Sequence, residues 1–250
     1  FKEAFEKTRL AGSIAAGALD EVSKIIKPGI STNEIDKLCY EYINDHQAYS
    51  APLFYRGFPK SCCTSANHVV CHGIPSDKIL KEGDIVNVDV TAFKGGWHGD
   101  TSKMFKIGQV SIKAEKLINS TYEAMMKAIS IVKDNVHLGD IGSTIQKHVE
   151  SEGFSVVQDF CGHGIGESFH KEPNILHYGE KGSGEKIKTG MIFTIEPMIN
   201  IGKYETKILN DGWTAVTRDK SLSAQFEHTI GVTNNGCEVF TQSNNTNLIL

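Results

Sequence analysis

The chain repeats its own plan, and that constrains its fold more than any other feature. IKPGISTNEI (residues 26–35) overlays VKDNVHLGDI (132–141) at an offset of 106 residues. Each joint separates two segments of helical periodicity, about 1–27 and 33–45 in the first case, about 114–134 and 139–152 in the second. Ser31, with Glu34 three residues on, reads as a capping box opening the second helix. A histidine segment follows each helix pair, CHGIP at 71–75 and GHGIG at 162–166, and then a turn into a strand. These strands also match: KEGDIVNVDV (81–90) overlays IKTGMIFTIEP (187–197) at an offset of 107, so that Gly83 meets Gly190 and Asp89 meets Glu196. Two related halves, about 1–113 and 114–250, are therefore expected to face each other across a pseudo-two-fold. The fold class is α+β, one domain with its strands pooled into a mainly antiparallel sheet.

Strand side chains alternate between faces, so Ile85, Asn87 and Asp89 share one face and Ile192, Thr194 and Glu196 the equivalent one. Taken singly, two acids closing two strands are ordinary surface features. At one repeat offset they are a matched pair. Beyond Asp89 the chain turns through KGGWHGD and returns with Asp100, and in the second half Glu227 sits among β-formers in AQFEHTIGV. Four carboxylates among apolar strands repel one another and take up protons unless cations neutralise them. Two divalent ions balance four carboxylates. In CGHGIGESFH, His163 stands between Gly162 and Gly164 and His170 follows seven residues later; the flanking glycines imply close approach to the backbone. One imidazole added to four carboxylates suits Mn, Fe or Co, and the Irving–Williams order keeps Zn open. A two-metal hydrolase is the leading class.

Composition excludes several others. The 250 residues are 40% hydrophobic, enough for a sizeable core. With 26 basic and 30 acidic residues the formal charge is −4, and no Lys/Arg run supplies a phosphate-binding stripe, so no nucleic acid substrate is expected. No apolar segment approaches the roughly 18 residues that cross a bilayer, and the opening FKEAFEKTRLAG is charged rather than signal-like. A cytoplasmic location without membrane attachment is expected, although a chain that begins without Met leaves a trimmed leader open. Cys39, Cys62, Cys63, Cys71, Cys161 and Cys237 lack paired spacing and are expected to be reduced thiols.

Beside these derivations stands a resemblance. VVCHGIP, NVDVTAF, GWHGDTSKMF, CGHGIGESFH, TIEPM and DGWTAVTRDKSLSAQFEHTIGV, in that order, closely resemble the motifs of the type I, bacterial-type methionine aminopeptidases over essentially the whole chain. The resemblance implies the "pita-bread" fold, two pseudo-symmetric halves around a dinuclear metal site. It implies an enzyme that removes the initiator methionine from nascent proteins and peptides when the second residue is small, by attack of a hydroxide bridging the ions. Asp89, Asp100, His163, Glu196 and Glu227 are then the metal ligands, Asp100 and Glu227 bridging, with Asp89 on one ion and His163 with Glu196 on the other. Glu196 would also relay the proton. His170 would stabilise the oxyanion of the scissile carbonyl, and His72 would contact the peptide near the scissile nitrogen.

By the same resemblance Tyr55, Phe58, Cys63, Phe169 and Trp213 form the methionine pocket, with His72 at its edge; soft and aromatic walls suit a thioether. One Na or K ion would be held by the backbone carbonyls of Asn67, Val69 and Ser223. The partners implied are N-termini of nascent polypeptides, with ribosome association left open, and the chain is expected to act as a monomer. The chain departs from many bacterial relatives in carrying Pro52 where they have Cys in the pocket wall. Three alternatives stand beside this. An X-Pro peptidase would share the ligands but normally adds an N-terminal domain. A metal-free ribosome- or RNA-binding relative would lack ligands and carry a basic patch. A mononuclear iron oxygenase would want two histidines and one carboxylate.

Overall fold

The structure, a computed structural model, describes residues 1–243. Four helices carry the repeat: α1 (Lys2–Ile25) and α2 (Thr32–Asp45) in the first half, α3 (Ile112–Ile131) and α4 (Leu138–Ser151) in the second. The first helix stops two residues short of expectation, with Ile26 already extended, because Pro28 pushes the residue before it out of the helical region. The third starts earlier than expected because Ser111 caps it, its Oγ accepting from the Ala114 N–H at 3.2 Å. Ser31 and Glu34 form the expected capping box, Oγ accepting from the Glu34 N–H at 3.2 Å and Oε2 accepting from the Ser31 N–H at 2.8 Å.

The main sheet has nine strands: β1 (Tyr49–Ser50), β2 (Cys63–Ala66), β3 (Ile85–Lys94), β4 (Trp97–Lys106), β5 (Gly162–Gly164), β6 (Lys171–Ile175), β7 (Ile192–Ile195), β8 (Glu227–Thr233) and β9 (Gly236–Val239). Their order is β1-β3-β4-β8-β7-β5-β6, with β2 also on β3 and β9 also on β8. Every pairing is antiparallel. The halves join where β4 meets β8.

The repeat is written into the backbone hydrogen bonds. Gly29 N–H donates to Leu80 and Leu80 N–H to Ile30; one repeat on, Asn135 N–H donates to Ile187 and Ile187 N–H to Val136. Gly83 and Gly190 both take left-handed backbone, at φ +88° and +92°, and their N–H groups donate to Ile107 and Val232 in turn. Alternation along β3 sends Val86, Val88, Val90 and Ala92 into a core with Ile14, Leu19, Ile35 and Ile43 of α1 and α2. The second helix pair covers Phe193, Ile195, Ile230 and Val232 in the same way. Both helix pairs bury their apolar stripes on the sheet, leaving the face with Asn87, Asp89 and Thr91 for chemistry. All six cysteines are free thiols. Among the described residues no helix is long and apolar enough to cross a membrane.

Candidate functional site

Strand register assembles the carboxylates. Cys63 pairs with Asp89, Asp89 with Ser102, and Ser102 with Glu227, one row running across β2, β3, β4 and β8. Glu196 follows directly on Ile195, the partner of His228, so the same row continues to it. Asp100, opposite Thr91, lies two residues along β4 from Ser102 and so shares the face diagonally with Asp89 and Glu227. The hairpin expected to bring Asp89 and Asp100 together is the β3–β4 turn.

His163 enters from β5. Its Nε2 stands 3.6 Å from Asp100 Oδ2 and 3.5 Å from Glu196 Oε1, and ligand atoms of Asp100, His163 and Glu227 lie within 4.8 Å of one another. The glycines beside it make room for neighbouring strands. A Cβ at Gly162 would stand 2.4 Å from the Thr194 carbonyl oxygen, and one at Gly164 would stand 2.2 Å from that of Glu172.

These groups fit divalent metal. His163 Nδ1 lies 3.0 Å from the Gly164 carbonyl oxygen, which can only accept, so Nδ1 carries the proton. In the neutral ring, Nε2 then turns its lone pair toward two carboxylates, an arrangement that calls for a cation between them. Glu227 Oε1 is buried with no hydrogen-bond partner among the described residues, an orphan that a metal ion would satisfy. The Asp89 and Glu227 carboxyls are pushed well above the ordinary range by burial and then by neighbouring carboxylates. Burial likewise raises Glu196 to about 7, against the opposing pull of His163. Burial lowers His163, but Asp100 and Glu196 outweigh it and leave the ring raised. Apart from metal, the site holds its negative charge only by binding protons.

A cavity of about 630 Å³ opens onto this knot, lined by Asp89, Asp100, His163, Glu196 and Glu227 and by Tyr55, Phe58, Cys63, His72, Phe169, His170 and Trp213. Pro52 lines it too. Phe58 meets Trp213 edge-on at 5.2 Å between centroids, and Tyr55 packs on Phe169 at 4.9 Å. His72, at φ +56°, turns edge-on to Phe160 and Trp213. The His170 ring lies 4.2 Å from that of His163 and its Nδ1 is 2.9 Å from the Tyr55 hydroxyl. Burial, followed by His163, lowers His170 to about 4, so its ring is neutral near pH 7.

Of the residues expected to hold a monovalent cation, Asn67 and Ser223 are in contact, the Asn67 carbonyl oxygen accepting from the Ser223 N–H at 2.9 Å, and the strands Val69–Cys71 and Ser223–Gln225 touch. The Ser223 Oγ is buried without a hydrogen-bond partner among the described residues.

The sequence reading missed the groups that hold these carboxylates and His163 in place. Thr91 Oγ1 donates to Asp100 Oδ1 at 2.7 Å, Thr194 Oγ1 to Glu196 Oε1 at 2.8 Å and Gln225 Nε2 to Glu196 Oε2 at 3.2 Å. Thr194 Oγ1 also accepts from the His163 backbone N–H at 3.0 Å, tying that backbone to the carboxylate. Thr91 and Thr194 were findable, since each lies two residues from an acid on one strand face. His177, buried and accepting the Glu196 N–H at 3.1 Å through Nε2, had no such signal.

A carboxylate-rich centre with one imidazole, set on the open face of an antiparallel sheet, defines a metal-dependent hydrolase. The profile of metallopeptidase family M24 matches residues 6–234, and the chain belongs to that family. It is 57% identical over 240 residues to a methionine aminopeptidase of Rickettsia prowazekii (strain Madrid E), covering 96% of this chain and 93% of the relative. The crystal structure of methionine aminopeptidase from Rickettsia prowazekii superposes with a TM-score of 0.96 at 56% identity, over 97% of this chain and 98% of that one. Prolidase from Pyrococcus furiosus shares the fold alone, with a TM-score of 0.78 at 22% identity over 98% of this chain and 65% of that one. The pita-bread architecture expected from the resemblance is the one observed.

Proposed function

We propose that the protein is a metal-dependent aminopeptidase that removes an N-terminal methionine when the second residue is small. The observation that carries this is the meeting of an aromatic- and sulfur-walled cavity with the five-donor knot on one sheet face. The likeness to methionine aminopeptidases over nearly the whole chain supports it. Asp89, Asp100, His163, Glu196 and Glu227 would hold two divalent ions. Mn, Fe or Co suits this donor set and Zn stays open. Bound there, the ions supply Lewis-acid polarisation of the scissile carbonyl and acidify a water to a nucleophile near neutral pH.

The chain's own groups do the rest. Glu196 would accept a proton from the attacking water and return it to the leaving amine. His170 is neutral near pH 7; with the Tyr55 hydroxyl donating to its Nδ1, the ring keeps its proton on Nε2 and offers it to the developing oxyanion. His72, kept neutral by burial, takes the peptide near the scissile nitrogen. Tyr55, Phe58, Cys63, Phe169 and Trp213 enclose the methionine side chain. The Cys63 thiol, pushed up by burial and then by Asp89, serves as a polarizable wall.

Residues 1–250 act as one catalytic domain with halves 1–113 and 114–250. A Na or K ion sits on the carbonyls of Asn67, Val69 and Ser223, supported by the proximity of Asn67 and Ser223. The protein works as a cytoplasmic monomer on N-termini of nascent polypeptides. Stripping the protein with a chelator and assaying Met-Ala-Ser tests the central claim: hydrolysis should vanish and return with Mn²⁺, Fe²⁺ or Co²⁺. Undiminished cleavage by the stripped protein would refute it.

A further inference from the structure

Of the arginines, Arg9 pairs with Glu238 and Arg218 donates from Nε to the Thr206 carbonyl. Arg56 differs. It is exposed and lines the mouth of the cavity, and among the described residues its guanidinium touches only the Tyr55 ring, at 5.4 Å from the centroid. The loop bearing it is tied to itself: Phe54 N–H donates to Phe58, Tyr55 N–H to Pro52, Gly57 N–H to Phe54 and Phe58 N–H to Tyr55. Phe54 and Arg56 both hold left-handed backbone, at φ +65° and +49°, a conformation side chains adopt only where their surroundings impose it. The result turns Tyr55 inward, where its hydroxyl meets His170 Nδ1 at 2.9 Å, and stacks Arg56 on its outer side.

Two planar groups in series thus lead outward from His170. An extended peptide advances about 3.3 Å per residue. The His170 and Tyr55 ring centroids are 5.2 Å apart and the guanidinium is 5.4 Å from the Tyr55 centroid, so from a first-residue carbonyl at His170 it is within reach of a chain about two to three residues further on. The other charges at the mouth are of both signs: Lys171, Glu172 and Asp159, and Asp159 already accepts from the Thr206 hydroxyl. A guanidinium with its fork of donors unengaged is shaped for a carboxylate.

Resting on the aminopeptidase reading, we propose that Arg56 is a specificity-determining residue that selects substrates carrying a carboxylate just beyond the second residue. An acidic third residue supplies it in a nascent chain; in a tripeptide the terminal carboxylate can take its place.

The test compares kcat/KM for Met-Ala-Asp-amide, Met-Ala-Asn-amide and Met-Ala-Lys-amide on metal-loaded wild type, Arg56→Gln and Arg56→Lys. Wild type should favour Asp over Asn by about threefold to fivefold at low ionic strength, the upper end for an exposed ion pair, and Lys should be poorest. Added salt should shrink the preference. Arg56→Gln should bring the Asp/Asn ratio close to one, and Arg56→Lys should keep part of it. A preference for free-acid Met-Ala-Asn over its amide that disappears in Arg56→Gln supports the same contact from the chain end. If Arg56→Gln does not fold, the partial ratio in Arg56→Lys carries the test. Equal cleavage of all three amides by wild type overturns the inference alone, as does a preference that survives intact in Arg56→Gln. Wild type that cleaves none of them overturns the aminopeptidase reading and this inference with it.

Discussion

Replacing Glu196 by Gln should stabilise the metal-free protein while destroying its activity. Burial lifts the Glu196 carboxyl from 4.5 to about 7, and its side chain is only 13% exposed, so solvent screening takes little from the effect. A carboxyl whose folded pKa lies above its unfolded value favours the folded state fully below 4.5, and that contribution is lost as pH rises through 7. The rise is worth about 3 kcal/mol. The substitution leaves a neutral group at every pH, but its amide nitrogen faces the Gln225 amide that now donates to Oε2. About 2–3 kcal/mol therefore remains at pH 8, roughly 5–10 °C in Tm for a chain this long. Urea melts of chelator-stripped wild type and Glu196→Gln, run from pH 4.5 to 8, measure it. The variant should start level with or slightly below the wild type at pH 4.5 and rise above it as pH increases, and adding metal should reverse the order. Parallel curves across that range would show that Glu196 does not carry the strained charge assigned to it.

Other outcomes separate the remaining roles. His163→Ala should weaken metal uptake, whereas His170→Ala should leave uptake near normal and lower kcat roughly 10²-fold; titration calorimetry showing equal loss in both would mean the roles are misassigned. Met-Gly, Met-Ala and Met-Ser starts should be cleaved and Met-Lys or Met-Leu starts should be poorer by orders of magnitude, because a clash displaces the carbonyl from its attack geometry. Comparable kcat/KM for Met-Ala-Ser and Met-Leu-Ser would sink that specificity and leave the metal chemistry standing. Ser31→Ala should cost about 1 kcal/mol in denaturant melts through loss of the α2 cap, and a change below the error of the melts would remove the capping box from the account.

What the sequence disclosed follows from which interactions are local. Asp89 and Glu196 were legible because period-two alternation and the repeat offset both point at them, and the structure sets them in one row through register. Register itself was not legible: that Asp89, Ser102 and Glu227 align depends on how β3, β4 and β8 slide past one another, and no short stretch encodes that. The capping box of α2 lies within four residues and was read directly. The Ser111 cap, equally local, was overlooked because the apolar period of α3 becomes clear only after Ala114. Tyr55 and His170 sit 115 residues apart and meet through a hydroxyl, a contact that residue type alone leaves undetermined.

The same division explains the difference between the two halves. In the first, β3 and β4 form one hairpin of ten-residue strands with a continuous register, so both of its acids arrive from a single local unit. In the second, β7 has four residues, Ile192–Ile195, and Glu196 stands past its end just before Pro197, which cannot donate to a ladder. Glu196 is held instead by Thr194, Gln225 and the His177 ring, whose Nε2 accepts the Glu196 backbone N–H. Its position depends on groups from three segments rather than on a strand. That is why Glu196 could be picked out from the repeat and the alternation, while the groups that hold it, unlike the regular β3–β4 hairpin that presents Asp89 and Asp100, needed the fold to be seen.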